Sequence, residues 1–210
     1  FEELKLLQPG VSWSPDGKKI VIAAKAGSKD AFHIINTRNG DSKKIPFDLE
    51  GVFTPKWSPD GMRLAFVGNK NSASDIYTID LNTNEIVNLT SDIFSDSEPS
   101  WHPSSSKLLF VSDRGTKIDR VPTTAVDMID HNFEQNNIYS IDINTKVVEK
   151  ITNSSSNKNY PVYANTENVI FYTSDYNGTW NIFKHDLDSG NAYPVTNFIT
   201  GLKGLSLTND

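Results

Sequence analysis

Residues that could do chemistry are spread along this sequence and do not form a recognisable site. Four histidines could bind zinc or manganese, yet they share no short spacing of the kind that metal sites use: His33, His102, His131 and His185. The acidic residues Asp92, Asp96 and Glu98 could ligate calcium, but this stretch lacks the alternating acidic pattern and the glycine of a calcium-binding loop. We therefore expect no metal site, and we expect these carboxylates to lie on a solvated rim.

The usual arrangements for nucleophilic catalysis are also missing from the sequence. It has no cysteine, no Gly-x-Ser-x-Gly motif and no glycine-rich phosphate loop. Its serine, histidine and aspartate residues show no grouping beyond what so polar a chain contains by chance. We predict that the chain is not an enzyme and that it binds no cofactor.

Composition argues against two classes of partner. The formal net charge is -6 at pH 7, whereas nucleic-acid binding would need a basic surface. Only 37% of the residues are hydrophobic, and no apolar run approaches the ~20 residues of a membrane span. We therefore expect neither a nucleic-acid partner nor a membrane span. Because the sequence begins at Phe1 and not at methionine, we expect a fragment or a mature product.

Internal repetition is the strongest signal in the sequence. Trp13, Trp57 and Trp101 recur at a spacing of 44 residues, and Tyr163 takes the same place in a fourth copy, 62 residues after Trp101. This longer spacing indicates an insertion of 18 residues, which the strand registers place within 114–135. We predict a single domain over 1–210, with repeats 13–56, 57–100, 101–162 and 163–206, and with 207–210 starting a fifth repeat.

Each repeat predicts four β-strands. Apolar and polar residues alternate with period two in IYTID (76–80) and IYSID (138–142), and clusters of Gly, Asn, Pro and Ser separate such segments. A period of ~40 to 45 residues with four strands is typical of a β-propeller blade. We predict an all-β fold, namely a β-propeller segment of four-stranded antiparallel blades with about four complete repeats.

The sequence Trp-Ser-Pro-Asp-Gly occurs twice and predicts a scaffold turn. Proline at the second turn position and glycine at the fourth suit a type I turn with a following left-handed residue, and aspartate in such a turn bonds its own backbone. Aromatic residues at equivalent places in every repeat indicate packing between blades. The residues that we assign to structure are Trp13, Trp57, Trp101, Tyr163, Asp16, Gly17, Asp60 and Gly61.

The insertion is the best candidate for function because it breaks a regular repeat, and long loops in compact domains often bind partners. It could be a binding flap, a disordered spacer or a blade-capping helix. In a blade, the loop between the second and third strands emerges on the same face as the linker to the next blade. The partner-binding residues predicted on that face are Phe53, Phe94, Asp96, Glu98, Arg114, Tyr160, Tyr176 and Trp180.

The repeats also resemble a known family. The similarity to the WD40-like repeats of TolB-type propellers is carried by WSPDGKKIVIAA (13–24), WSPDGMRLAFVG (57–68), SDIYTIDLNTNEIVNLT (74–90) and EPSWHPSSSKLLFVSDRG (98–115). Such repeats also form a non-catalytic domain of prolyl oligopeptidase and of tricorn-type peptidases. The resemblance implies a ring of six or more blades, of which this segment would be a part, and a periplasmic or extracellular location in the bacterial envelope. The turn signature is lost in the third and fourth repeats, which read WHPSS (101–105) and YANTE (163–167).

These observations favour a non-catalytic propeller scaffold that binds a protein or peptide partner on one loop face, as the resemblance to TolB implies. One alternative is the gating or substrate-recognition domain of a peptidase or other hydrolase of the prolyl oligopeptidase or tricorn type. Another is a carbohydrate-binding propeller, which exposed aromatic residues and the many Asn and Asp residues would support.

Overall fold

Four antiparallel β-sheets make up the described part of the protein. The computed structural model describes residues 10–26, 29–117, 131–164 and 168–207. Within these ranges there are sixteen strands and no helix, so no described helix could cross a membrane. Each sheet contains four strands that are consecutive in the chain and paired antiparallel. This confirms the all-β propeller segment with four-stranded antiparallel blades.

The sixteen strands fall into four consecutive groups of four. The first sheet contains β1 (Val11–Trp13), β2 (Lys19–Ala26), β3 (Lys29–Asn36) and β4 (Ser42–Pro46). The second contains β5 (Gly51–Trp57), β6 (Arg63–Lys70), β7 (Ala73–Asp80) and β8 (Ile86–Asn88). The third contains β9 (Asp96–Trp101), β10 (Lys107–Ser112), β11 (Asn137–Asp142) and β12 (Val148–Lys150). The fourth contains β13 (Lys158–Tyr163), β14 (Val169–Ser174), β15 (Asn181–Asp186) and β16 (Ala192–Pro194). The first strand of each sheet contacts the first strand of the next one, so β1, β5, β9 and β13 form the inner layer.

The turn between the first and second strands explains the repeated Ser-Pro-Asp-Gly sequence. In the first sheet, the Ser14 hydroxyl donates to Asp16 Oδ1 (2.6 Å), and Gly17 closes the turn with a left-handed φ of 67°. The second sheet repeats this arrangement around Asp60. In the third sheet Ser105 stands in place of the glycine and still adopts a left-handed φ of 59°. In the third sheet the turn therefore keeps its left-handed residue although the Ser-Pro-Asp-Gly sequence is lost.

The inner strands share one unusual backbone position. Gly10, Thr54, Glu98 and Tyr160 occupy equivalent places in the four repeats, and each has a positive φ, between 46° and 64°. Strand pairing in the second, third and fourth sheets shifts register near this point, as a β-bulge does. Only glycine fits the first of these positions, because a Cβ atom on Gly10 would lie 2.8 Å from the Thr54 Cα atom. The side chains of Thr54, Glu98 and Tyr160 all line one pocket between the inner strands.

The hydrophobic core consists of three clusters, each lying between two neighbouring sheets. The second sheet is covered by a cluster on each face. Leu64 and Phe66 of β6 belong to the first cluster, whereas Ala65 and Val67, which point to the opposite face, belong to the second. The third cluster joins the third and fourth sheets. A sheet that is covered on both faces needs a nearly continuous apolar strand, which is what the sequence LAFV supplies.

The repeated aromatic residues differ in their burial. Trp101 is 8% exposed, and its Nε1 donates to the Lys56 carbonyl of the preceding sheet (2.9 Å). Trp57 and Tyr163 are partly buried against the first and third clusters. Trp13, however, is 60% exposed, which contradicts the expectation that it packs like the others. The three covered residues lie against the preceding sheet, and the described residues place no sheet on that side of Trp13.

Candidate functional site

The inner strands enclose a pocket of about 510 Å³. We call it the inner pocket. Its walls come mainly from β5, β9 and β13, and the other lining residues include Ser12 of β1, Val67 and Asn69 of β6, Ser74 of β7, and Lys203 and Leu205 of the C-terminal segment. Such a volume is within the range of ligand-binding clefts. The fold builds it because β5, β9 and β13 each supply the residue at the bulged position and the residues beside it.

One side of the inner pocket is apolar. Phe53, Trp57 and Trp101 line it together with the prolines Pro99 and Pro161. Aromatic rings and prolines present rigid surfaces that lose little conformational entropy when they contact a ligand. This wall is suited to an apolar side chain or to a flat ligand.

Charged groups line the same pocket. The Glu98 carboxylate accepts a hydrogen bond from the Tyr160 backbone N–H. Burial raises the pKa of Glu98 to about 7, although this hydrogen bond and the positive charges of Lys56 and Lys203 oppose the rise. Burial also lowers the pKa of Lys56, an effect that the charge of Glu98 opposes. The pocket lining therefore holds one half-buried carboxylate, that of Glu98, and two lysines, Lys56 and Lys203, that are exposed to solvent.

Two polar atoms of the inner pocket have no partner. Thr54 Oγ1 and Asn69 Oδ1 are buried and form no hydrogen bond within the described ranges of the chain. Buried polar groups are nearly always paired, and leaving one unpaired costs about 1 to 3 kcal/mol. Because neither atom is accessible to solvent, a ligand would reach the Asn69 oxygen and the Thr54 hydroxyl, and remove this cost, once the side chains that cover them move aside.

Three of the predicted partner-binding residues line the inner pocket. They are Phe53, Glu98 and Tyr160. Tyr176 and Trp180 lie elsewhere, in the fourth sheet. Tyr176 is 65% exposed and makes an edge contact with Phe183, whereas Trp180 is partly buried, and neither lines the pocket.

The other three predicted partner-binding residues are corrected by the structure. Phe94 and Asp96 are fully buried, and Arg114 is 1% exposed, so none of them can lie on a binding rim. The Arg114 guanidinium donates to both oxygens of Asp96 at 2.8 Å and to Asp92 Oδ2 at 3.0 Å. The expected solvated rim of Asp92 and Asp96 is therefore wrong, because these carboxylates are the buried counter-ions of an arginine.

This ion pair also bears on metal binding. Asp75, Asp92 and Asp96 are buried with carboxylate oxygens within 4.8 Å of one another, a spacing that could suit a cation. The Arg114 guanidinium already supplies positive charge to Asp92 and Asp96. It lies near the faces of three aromatic rings, 5.0 Å from the centre of the Phe110 ring and 5.4 to 5.5 Å from the rings of Phe94 and Tyr139.

The pKa values of this cluster follow from burial and charge. Burial raises the pKa of Asp96 to about 7, and Arg114 opposes the rise. Burial acts to lower the pKa of Arg114, but Asp96 and Asp92 outweigh it, so the net shift is upward. We conclude that Arg114 stays charged and holds the start of the insertion in place.

The insertion is only partly described. Residues 118–130 lie outside the described ranges, so whether they form a flap, a spacer or a cap remains a prediction. The described residues on either side of this gap, Lys117 and His131, both approach Phe94. The Lys117 Nζ atom lies 5.7 Å from the centre of the Phe94 ring, and the centre of the His131 ring lies 5.4 Å from the same point.

Sequence reasoning missed four of the polar pocket residues. Thr54 could have been found, because it stands 44 residues before Glu98 and therefore at the same repeat position. Lys56, Asn69 and Lys203 gave no signal in the sequence.

Comparison with solved structures shows the fold. The chain is similar to TolB from Acinetobacter baumannii, with a TM-score of 0.71 and 23% identity, covering 89% of this chain and 43% of that one. It is also similar to a putative TolB from Agrobacterium tumefaciens, with a TM-score of 0.71 and 17% identity, covering 92% and 63%. A puromycin-hydrolyzing peptidase from Mycobacterium tuberculosis matches with a TM-score of 0.65 and 14% identity, covering 91% and 31%.

The chain thus spans less than two thirds of each of these structures. No curated protein matches its sequence. The sequence profile of the TolB beta propeller domain matches residues 5–119, which is more than half of the chain. The chain therefore belongs to the TolB β-propeller domain family.

Proposed function

We propose that this chain is a segment of a non-catalytic propeller that binds a protein or peptide partner in the inner pocket. The observation that carries the proposal is the combination of an apolar wall with the unpaired atoms Thr54 Oγ1 and Asn69 Oδ1. A peptide offers N–H donors, carbonyl acceptors and apolar side chains at short intervals. The Asn69 oxygen suits a backbone N–H, and the Thr54 hydroxyl suits a carbonyl.

The charges of the pocket favour recognition of a peptide with at least one charged group. Glu98 could bind a partner's amine, and Lys56 or Lys203 could bind a carboxylate.

Likeness to the two TolB structures supports a protein partner and a bacterial envelope location. The match to the puromycin-hydrolyzing peptidase supports the second candidate, a gating or substrate-recognition domain of a peptidase. In that case the inner pocket would contact the substrate of a catalytic domain. Cleavage of pocket-binding peptides by the protein at its natural length would favour this second candidate.

A displayed library of random peptides can test the proposal. Peptides selected on the chain should bind the Phe53→Ala and Glu98→Gln variants at least about tenfold more weakly, as expected for residues at the centre of an interface. The matched controls are Tyr193→Ala and Glu85→Gln, which alter an exposed aromatic ring and an exposed carboxylate outside the pocket. Equal affinities for the pocket variants and the controls would overturn the assignment.

A further inference from the structure

A second pocket of about 400 Å³ lies between the third and fourth sheets. It is at the end of these sheets that carries the turn between β9 and β10 and the turn between β15 and β16, and it shares no lining residue with the inner pocket. We call it the basal pocket and define it by His102, Lys107, Glu149, Lys150 and His185. Its volume is at the lower end of the range for small-molecule sites.

The basal pocket is basic although the protein is acidic. The chain has 20 Lys and Arg against 26 Asp and Glu, yet two lysines and two histidines meet a single carboxylate here. Lys107 lies 3.7 Å from Glu149 and also interacts electrostatically with Asp142, so its positive charge is balanced. Lys150 forms no ion pair within the described chain, although burial lowers its pKa. The positive charge that an incoming anion would find without a partner is therefore that of Lys150.

The two histidines can add donors to this charge. His102 Nδ1 accepts a hydrogen bond from the Ser104 backbone N–H (3.1 Å), so a neutral His102 carries its proton on Nε2. His185 is 6% exposed, and its Nδ1 has no hydrogen-bond partner within the described residues. Burial lowers the pKa of both histidines; Lys107 lowers that of His102 further, and Asp186 opposes the shift of His185.

We propose that the basal pocket binds a phosphate group, supplied either by inorganic phosphate or by a small phosphomonoester. A dianion matches the two lysines, and its several oxygen atoms can accept hydrogen bonds from the lysine amines and from His102 Nε2. The binding is electrostatic and involves no covalent step. The site is separate from the inner pocket, so it does not depend on the partner-binding function.

Titration with inorganic phosphate and with glycerol phosphate tests the proposal and separates the two sources. Sodium chloride at equal ionic strength is the control for screening. The imidazole resonances of His102 and His185 should shift saturably with one or both ligands, and the pKa of each histidine should rise in the bound state. Tighter binding of glycerol phosphate would identify a phosphomonoester ligand, and tighter binding of phosphate would identify the free ion.

Affinity should also increase as the pH falls from about 7.5 to about 6, because a bound anion raises the pKa of the histidines and its binding is then coupled to proton uptake. The other titratable groups around them are Lys107, Glu149, Lys150, Tyr163, Tyr172 and Asp186. Phosphate itself gains a proton over this range, whereas sulfate stays a dianion, so sulfate at each pH separates the titration of phosphate from that of the histidines.

Substitutions give effects of opposite sign. Lys150→Gln should weaken phosphate binding at least about tenfold, whereas Glu149→Gln should strengthen it by removing the only carboxylate of the described pocket lining. Lys44→Gln, at an exposed lysine of β4, should change nothing. Stronger phosphate binding by the Glu149→Gln variant cannot be explained by unfolding. Resonances that respond to phosphate no more than to chloride, or equal affinities in Lys150→Gln and Lys44→Gln, would overturn the proposal.

Discussion

Arg114 and Asp96 form a buried ion pair in which one guanidinium nitrogen, Nη2, lies 2.8 Å from both carboxylate oxygens, and neither side chain is exposed. Arg114 is the first residue of the predicted insertion, whereas Asp96 begins the inner strand β9. The pair therefore ties the start of the insertion to the innermost layer of the third sheet.

Breaking this pair should destabilise the protein. Arg114→Met leaves Asp92 and Asp96 buried without their counter-ion, and loss of one partner of a buried pair costs about 3 to 5 kcal/mol. Urea unfolding at pH 7 measures the loss. The control is Lys29→Met, which removes the exposed pair with Asp48 and should not change the free energy of unfolding measurably. Equal effects of the two substitutions would contradict a structural role for Arg114.

Shortening the insertion should spare the fold if Arg114 is kept. Lys117 and His131 both approach Phe94, so a flexible linker of about five residues can replace 118–130 at little entropic cost. We expect an unchanged melting temperature and, if the insertion is a binding flap, weaker binding of the selected peptides. A deletion that includes Arg114 is the contrasting variant and should lower the melting temperature. If the melting temperature of the shortened variant falls by several degrees although Arg114 is kept, the insertion is instead a structural cap.

The repeated tryptophans should differ in their contribution to stability. Trp101→Ala should cost roughly 3 to 5 kcal/mol, because its side chain is almost fully buried between the second and third sheets. Trp13→Ala should cost much less in the same chain, because this residue is 60% exposed. Thermal and urea unfolding of the two variants give the comparison. Similar losses would mean that Trp13 is covered in solution.

Glu98 should make stability depend on pH. The pKa of Glu98 is about 7 in the folded protein, compared with a reference value of 4.5. Between pH 4.5 and pH 7 the folded state therefore holds a proton on Glu98 that the unfolded state has lost. The contribution of Glu98 to the free energy of unfolding is then fully present below about pH 4.5 and is lost as the pH rises through about 7. Over this window Glu98→Gln should lose less stability than the wild type, as followed by urea unfolding. Glu85→Gln should behave as the wild type does, and parallel curves for Glu98→Gln and the wild type would refute the burial argument.

The local features of the fold were predictable from the sequence. Period-two alternation and turn residues are properties of neighbouring positions, so the segments IYTID (76–80) and IYSID (138–142) were recognisable as strands. The first lies in β7 and the second in β11. The turns between the third and fourth strands also repeat, and Gly40, Asn84, Lys146 and Gly190 all have positive φ at equivalent positions. The exact repeat boundaries stay a prediction.

By itself, the sequence determined the four-stranded sheets and their repetition, because hydrophobic period and turn chemistry act over a few residues. Only the tertiary structure decided which polar residues face a pocket and which are buried. Arg114 looked like the exposed start of a loop, and its burial depends on Asp92, Asp96 and three aromatic rings from other segments. Glu98 and Asn69 both line the inner pocket because two neighbouring sheets bring them together. The spacing of residues along the chain does not show which charged groups will be desolvated or paired in this way.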